Sequence, residues 1–334
     1  MVIDSVQPLT RSQINLACQA VWGSSCTPIS AAKLSGGTQN ETWLLEFADC
    51  SRVVLKVAPP SDALAGWDDR NLLRREATVY PSFLPVSDRM PRLLAVDFSH
   101  RLIPRDYSFQ TFLTGRRWAD VDETLPLPDR LALWQELGQI TRQIHSVTGS
   151  AFGYPPPAQS FPCWSDTVLD RFDHLLEDFT HLGLETISLT ALRRTAEENR
   201  SRLDELVTPC LLHGDLWTFN ILIDDGQKPP AICGILDAEH AWWGDPRVDW
   251  GMFLLSLRRA MPEWREPITA FEMGYGEMLF PEKDLFYTHL YQGMHIALAA
   301  AQAARQQDQA TVQKGLRDLP SIVQKLLPLS AHPR

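Results

Sequence analysis

The spacing of apolar side chains changes along the chain and predicts two structural parts. Within residues 1–110, stretches that alternate like β-strands are mixed with stretches of helical period. A helix predicted over Arg11–Trp22 has a capping box, because Thr10 can cap its first turn and Gln13 can return the hydrogen bond. Its apolar stripe consists of Ile14, Ala17, Cys18 and Val21. The other elements predicted in this part are two strands around a glycine turn within Ala32–Phe47, strands at Arg52–Val57, Leu93–Val96 and Phe109–Leu113, and a helix at Asn71–Tyr80.

After Gly115 the pattern becomes mostly helical. Leu133, Leu137, Ile140 and Ile144 recur at helical spacing and predict a buried face. The predicted helices are Leu131–Val147, Asp166–Phe179, Ala191–Leu206 with Thr190 as its cap, Val248–Arg259, Ile268–Met278, Asp284–Ala304 and Val312–Leu326, with a hairpin over Leu211–Asp237 between them. We therefore expect an α+β fold of two lobes: a small lobe with a mixed β-sheet at residues 1–112, and a larger, mainly helical lobe at residues 113–334.

Composition narrows the classes of function. The chain has 334 residues, of which 44% are hydrophobic, and no apolar run approaches the ~18 residues of a membrane span. Its start lacks a basic stretch followed by an apolar one, so we expect no signal peptide and a cytoplasmic protein, a monomer or homodimer without a membrane partner. The net charge of -10 argues against a nucleic-acid partner.

The negative charge is unevenly distributed. Residues 1–110 contain 11 acidic and 11 basic side chains, so the whole excess lies in residues 111–334. An acidic C-terminal lobe favours a neutral or cationic small molecule as the bound substrate. The alternative is that these acids only keep the surface soluble.

The segment Leu212–Asn220, followed by Ile235-Leu236-Asp237, contains the most specific motif. Asp215 is the candidate catalytic base, because a carboxylate can orient a hydroxyl and take its proton. Asn220 and Asp237 offer the oxygen ligands that Mg²⁺ prefers. An Asp, an Asn five residues later and a second Asp after a hairpin suit ATP-dependent phosphoryl transfer.

This motif resembles that of the aminoglycoside phosphotransferase family, whose members phosphorylate small molecules on a protein-kinase-like fold. Gly214 stands where protein kinases have Arg, and Ala238-Glu239 stand where they have Phe-Gly. The run from His213 to Trp217 is also similar to that of fructosamine kinases, and choline and sugar kinases share the wider fold. The resemblance implies ATP and Mg²⁺ as cofactors, although the sequence does not distinguish ATP from GTP.

The resemblance also implies nucleotide-binding residues in the first lobe. Lys56 would contact the α- and β-phosphates, and Glu76 would hold it, although the neighbouring Arg74 and Arg75 compete for that ion pair. A glycine loop would cover the nucleotide, and the linker between the lobes would bind adenine near Thr111 and Leu113. The loop residues are Ser35, Gly36, Gly37, Thr38 and Asn40.

Three further residues are expected to support the catalytic loop. His213 would hydrogen-bond the loop backbone. Asp249 would accept hydrogen bonds from loop amides, and Asp245 would cap the next helix. Candidates for the site that binds the phosphate acceptor are Trp217, Glu239, His240, Trp242, Trp243, Tyr275 and Glu277. The alternative for each Trp is packing in the core, and the alternatives for Glu239 are contact with a metal and a salt bridge.

The sequence thus predicts an ATP-dependent phosphotransferase acting on a hydroxyl of a small molecule. The first hypothesis for the acceptor is an antibiotic or another sugar-containing natural product, in resistance or self-protection. The alternative is a metabolic small-molecule kinase acting on a fructosamine, an amino-sugar or choline. A nucleotide-binding pseudokinase scaffold is a third hypothesis, but it predicts the loss of Lys56, Asp215, Asn220 or Asp237, and all four are present.

Overall fold

The computed structural model describes residues 9–34, 40–59 and 66–330. Residues 30–111 contribute a five-stranded antiparallel sheet in the order β1-β2-β3-β5-β4. Its strands are β1 (Ser30–Lys33), β2 (Glu41–Glu46), β3 (Arg52–Val57), β4 (Leu93–Asp97) and β5 (Tyr107–Thr111). Most of the later described residues are helical, so the predicted α+β fold is confirmed.

Helices α1 (Arg11–Trp22) and α2 (Leu72–Val79) accompany this sheet. The capping box of Thr10 and Gln13 is present at the start of α1. Along β3, Val53, Leu55 and Val57 are buried in one cluster with the apolar face of α1. Successive strand residues point to opposite faces of a sheet, so Lys56 points away from α1 and reaches α2.

The helical part contains two hydrophobic clusters. One cluster includes residues of the helices at Trp164–His181, Ile187–Glu198 and Leu285–Arg305. The other joins the helices at Leu127–His145 and Arg265–Tyr275 to the hairpin over residues 211–237 and to Val79 at the end of α2. The helices are α3 (Trp118–Val121), α4 (Leu127–His145), α5 (Trp164–His181), α6 (Ile187–Glu198), α7 (Arg200–Leu203), α8 (Trp250–Arg258), α9 (Arg265–Tyr275), α10 (Leu285–Arg305) and α11 (Gln309–Ser330). Among the described residues, none of these helices has the length and apolar character needed to cross a membrane.

Two small antiparallel sheets include the strands of the hairpin over residues 211–237. Their strands are β6 (Arg116–Arg117), β10 (Ile221–Asp224) and β11 (Ala231–Ile235) in one, and β7 (Phe152–Gly153), β8 (Ser160–Phe161), β9 (Cys210–Leu212) and β12 (Trp242–Gly244) in the other. In the second sheet Trp242 pairs with Leu212. This pairing brings the chain that follows Asp237 beside the chain that enters the catalytic loop.

The structure differs from the sequence-based expectation at several places. The helix predicted over 191–206 is two helices, because Asn199 leaves the helical conformation and its side chain donates to the Thr195 carbonyl. Thr190 lies inside α6, and so it is not a cap. Val21 is 37% exposed and does not extend the buried stripe of α1. The strand predicted at Phe109–Leu113 begins and ends two residues earlier, and β12 was not predicted, because its pairing is with a distant segment.

Candidate active site

The catalytic loop is held by backbone hydrogen bonds to one buried carboxylate. Asp249 accepts from the backbone N–H of His213 at 3.2 Å and from that of Gly214 at 2.8 Å. The Asp215 N–H donates to Nδ1 of His213 at 3.3 Å. Burial lowers the pKa of His213 to about 4, so the imidazole is neutral and its Nδ1 can accept that bond.

Gly214 is required by the geometry of the loop. Its φ is +79°, a conformation that residues with a Cβ rarely adopt. A Cβ at this position would also collide with the carbonyl group of His240. The backbone conformation and this close approach therefore both favour glycine at this position.

Asp215 and Asn220 are in direct contact. The Asn220 Nδ2 donates to Oδ2 of Asp215 at 2.7 Å and to its backbone carbonyl at 3.0 Å. Because the amide nitrogen is used in this way, the amide oxygen of Asn220 is the atom of this side chain that could bind a metal. Burial raises the pKa of Asp215 to about 7; the nearby His240 lowers this pKa and Asp237 raises it. A carboxyl with such a pKa can both accept and release a proton near neutral pH.

Lys56 lies at the centre of three carboxylates. Its Nζ is 2.7 Å from Oδ1 of Asp237, 3.1 Å from Oε1 of Glu76 and 3.2 Å from Oε2 of Glu239. Burial alone would lower the pKa of Lys56, but Asp237, Glu76 and Glu239 raise it well above its ordinary value. With Asp215, the group carries four acidic side chains against one lysine, and this excess of negative charge favours binding of a divalent cation.

Glu76 and Glu239 are positioned by amide side chains as well. The Gln110 Nε2 donates to Glu76 at 2.9 Å, and the Asn40 Nδ2 donates to Glu239 at 2.7 Å. Arg74 pairs instead with Asp106. Arg75 donates to the backbone carbonyl of Asp68, and Glu76 and Glu239 both form salt bridges with Lys56.

Asp237 has a backbone conformation suited to a functional residue. Its φ of 60° and ψ of 57° are left-handed, which is uncommon for a residue other than glycine. Its side chain is 39% exposed, although one oxygen contacts Lys56. Within the described ranges, no three His, Cys, Asp or Glu side chains are grouped so that they could hold a metal ion by themselves.

Thr111 and Leu113, which were predicted to bind adenine, lie in different surroundings. The Thr111 N–H donates to the Arg92 carbonyl at 2.9 Å and its hydroxyl accepts from the Arg92 N–H, so these groups are not free to bind adenine. Leu113 and Leu222 both approach Gly234 on β11. Leu222, which the sequence analysis did not single out, is half-buried, whereas its neighbours Ile221 and Ile223 are buried.

Four of the predicted acceptor residues are not brought to Asp215. Trp242 is only 2% exposed and packs in the core against Trp164. Trp243 lines a cleft beside the C-terminal end of α2. Tyr275 and Glu277 line a separate cavity with Arg247. Trp217, Glu239 and His240 remain next to the catalytic loop.

Asp245 and the glycine loop complete the predicted set. Asp245 is fully buried, caps the turn Pro246–Val248 and binds Arg247 and the Tyr291 hydroxyl. Ser35, Gly36, Gly37 and Thr38 lie outside the described residues. His145, whose Nε2 is 3.0 Å from Asp249, was missed from the sequence and carries no local signal of its role.

The fold and this constellation define the class of the protein as a kinase-like phosphotransferase. The model of the phosphotransferase enzyme family, APH, matches residues 30–285, and the chain belongs to this family. No protein of curated function matches the chain significantly in sequence.

Solved structures share the fold at low sequence identity. A thermostable mutant of aminoglycoside phosphotransferase APH(4)-Ia, in a ternary complex with AMP-PNP and hygromycin B, superposes with a TM-score of 0.67 at 16% identity, covering 94% of this chain and 98% of the other. The GDP and kanamycin complex of APH(2")-IIIa has a TM-score of 0.62 at 16% identity, covering 92% and 97%. These likenesses establish the fold.

Proposed function

We propose that this chain transfers the γ-phosphoryl group of ATP to a hydroxyl of a small molecule. The proposal rests chiefly on one observation: Lys56 is 2.7 Å from Asp237 and 3.1 Å from Glu76, and Asp237 lies near enough to the Asp215–Asn220 pair to raise the pKa of Asp215. These are the parts that a kinase-like phosphotransferase needs. Lys56, Asp215, Asn220 and Asp237 are all present, and their side chains lie close together, which favours an enzyme over a pseudokinase scaffold.

In this proposal each residue has a defined task. Asp215 orients the acceptor hydroxyl, whose oxygen bonds to the γ-phosphorus as the bond to the bridging oxygen of ADP breaks. The proton of the hydroxyl passes to Asp215, whose raised pKa of about 7 suits this transfer. Lys56 binds the α- and β-phosphates, and Glu76 holds Lys56 in place.

The amide oxygen of Asn220 and the free carboxylate oxygen of Asp237 are the proposed ligands of Mg²⁺. When bound, Mg²⁺ neutralises phosphate charge and orients the transferred group. Mg²⁺ is usually bound by one or two protein side chains together with substrate phosphates, and this donor set fits that habit. Glu239 is held by Lys56 and Asn40, and so we do not assign it to the metal.

We propose that residues 1–112 bind the nucleotide and residues 113–334 carry the catalytic loop and the acceptor site. The five-stranded sheet ends at Thr111, and the next strand, β6, pairs with β10 of the hairpin. Leu113 and Leu222 would supply apolar contacts to the base. The related structures contain AMP-PNP or GDP, so both ATP and GTP belong in the first assay.

For the acceptor we propose a neutral or cationic hydroxyl compound, with an aminoglycoside as the first choice. The excess of carboxylates around Asp215 supports a cation, and the complexes with hygromycin B and kanamycin support this chemical class. Trp217 and His240 are the remaining candidates to line the acceptor site. A metabolic amino-sugar, fructosamine or choline acceptor is the second candidate, supported by the run His213-Gly214-Asp215-Leu216-Trp217.

The test is an ADP-release assay with Mg²⁺-ATP or Mg²⁺-GTP against a panel of aminoglycosides, other antibiotics, amino-sugars, fructosamines and choline. Mass spectrometry should find a product heavier by one phosphoryl group. Asp215→Asn should abolish transfer, whereas Asp224→Asn, on the exposed end of β10, should retain it. Transfer that persists in Asp215→Asn would refute the assignment of the base.

A further inference from the structure

Four consecutive residues before α2 each contact the helical part of the chain. We call the segment Gly66–Asp69 the clamp segment. Trp67 stacks on His174 of α5 with ring centroids 4.4 Å apart and an angle of 15°. The carboxylate of Asp69 accepts from Nε2 of Gln302 on α10 at 3.2 Å. Gly66 lies so close to the Arg305 guanidinium that a Cβ would overlap it.

The central contact of the clamp segment is a buried ion pair. The Asp68 Oδ1 is 3.2 Å from Nη1 of Arg171 on α5, and the two side chains are 8% and 5% exposed. The Tyr154 hydroxyl also donates to Oδ1 of Asp68, at 2.5 Å. Burial would raise the pKa of Asp68, but Arg171 and other nearby cations lower it to about 2, so the carboxylate is charged. The Arg171 guanidinium lies 4.4 Å from the Trp242 ring, a favourable cation–π distance.

This ion pair is connected to two of the three carboxylates that contact Lys56, Glu76 and Glu239. Arg75, on α2 next to Glu76, donates to the backbone carbonyl of Asp68. His240, which follows Glu239, has its Nδ1 3.9 Å from Oδ2 of Asp68. Because Arg75 adjoins Glu76 and His240 adjoins Glu239, a shift of Asp68 would be expected to move both glutamates.

We propose that Asp68 and Arg171 are positioning residues for phosphoryl transfer, which keep α2 docked so that Glu76 can hold Lys56 against the nucleotide phosphates. This inference rests on the proposed function, in which Lys56 binds those phosphates. Neither residue touches the substrate. Their effect passes through Arg75 and α2 on one side and through His240 on the other.

A positioning role differs from a merely stabilising one in what it changes. A buried ion pair that only stabilises the fold lowers the unfolding temperature when broken, and it leaves nucleotide binding by the folded protein unchanged. A positioning pair also loosens α2 and weakens the binding of phosphates by Lys56. Both effects are measurable on protein that is fully folded.

The experiment compares Arg171→Met, Asp68→Asn and Arg171→Lys with Arg193→Met in the full chain. Arg193→Met is the matched control, because Arg193, on α6, also forms an ion pair with an aspartate, Asp173 of α5, but these side chains are 32% and 50% exposed. Affinity for Mg²⁺-AMP-PNP is measured by calorimetry well below the unfolding temperature of each variant. Amide hydrogen exchange is followed in the peptide that contains Leu72–Val79.

We expect Arg171→Met and Asp68→Asn each to weaken AMP-PNP binding by about tenfold and to speed amide exchange in α2. Arg171→Lys should recover part of the affinity, and Arg193→Met should stay within about twofold of the unchanged protein. If Arg171→Met does not fold, the milder Asp68→Asn decides the question. Folded variants with unchanged AMP-PNP affinity and unchanged α2 exchange would overturn the proposal.

The binding assay also separates this proposal from the proposed function. It requires no acceptor and no transfer. If the unchanged protein binds AMP-PNP but phosphorylates nothing in the panel, the proposed reaction fails while the positioning role is still decided by the variants. If the unchanged protein binds neither Mg²⁺-AMP-PNP nor Mg²⁺-GMP-PNP, both proposals are refuted together.

Discussion

Replacement of Gly214 by alanine should disable catalysis without unfolding the protein. Gly214 precedes the candidate base, and its φ is +79°. Two separate penalties follow from adding a Cβ here. One is the strain of the left-handed backbone, and the other is the collision with the carbonyl group of His240.

The chain offers a control that isolates the first penalty. Gly276, at the end of α9, has a φ of +86°, and a Cβ there would meet nothing within 4 Å. Gly276→Ala should therefore cost only the backbone strain, about 1–2 kcal/mol. Gly214→Ala should cost this amount and, in addition, displace Asp215 or His240 by about 1 Å, because the two groups must separate to van der Waals contact.

A displacement of that size at the reacting groups is expected to lower kcat by about 100-fold. The assay is ADP release with the acceptor identified from the panel, at a temperature where circular dichroism shows both variants folded. Gly276→Ala should retain kcat within about twofold and should lower the unfolding temperature no more than Gly214→Ala does. The reasoning would be refuted by a folded Gly214→Ala protein with the kcat of Gly276→Ala.

Three further predictions concern buried ionisable side chains. Lys56→Met should lower the free energy of unfolding by about 3–5 kcal/mol, because it leaves Glu76, Asp237 and Glu239 without their cation. Urea unfolding measures this loss, and the control Lys33→Met, at an exposed pair, should cost under about 1 kcal/mol. Asp249→Asn replaces one of the two oxygens that accept loop amides and should lower kcat by roughly 10–100-fold; a kcat equal to that of Asp224→Asn would contradict it. Burial lowers the folded-state pKa of His295 to about 4, below its value when unfolded, so this residue contributes stability above pH 6.5 that is lost as the pH falls to 4. That loss is about 3 kcal/mol, and urea unfolding of His295→Gln should show a shallower pH dependence; an unchanged slope would remove His295 as its cause.

The sequence predicts best where the signal is local. The period of apolar residues marked α1, β3 and the buried face of α4 closely, because the period of a helix or strand is written in consecutive residues. The motif from His213 to Asp237 gave the order of the candidate base and metal ligands. The structure adds their distances, and the roles of these residues stay predictions until they are assayed.

The structure differs most from the sequence-based expectations where distant segments meet. Tyr275 and Glu277 were placed at the acceptor site because they are polar or aromatic, yet α9 carries them to another cavity. Thr111 was assigned to adenine, but its backbone N–H is used by Arg92 in the sheet. Trp242 and Trp243 are adjacent in sequence and lie on opposite sides of β12, one in the core and one beside α2.

By itself, the sequence determined the fold class, the family resemblance and the catalytic motif, since each depends on residue types at fixed spacing. Only the tertiary structure decided that Lys56 meets three carboxylates, that Gln110 holds Glu76 and that Arg171 binds Asp68. These partners are 20–183 residues apart along the chain. The physical reason is that charge interactions depend on distance and burial in space, and neither quantity is encoded in the local pattern of apolar and polar residues.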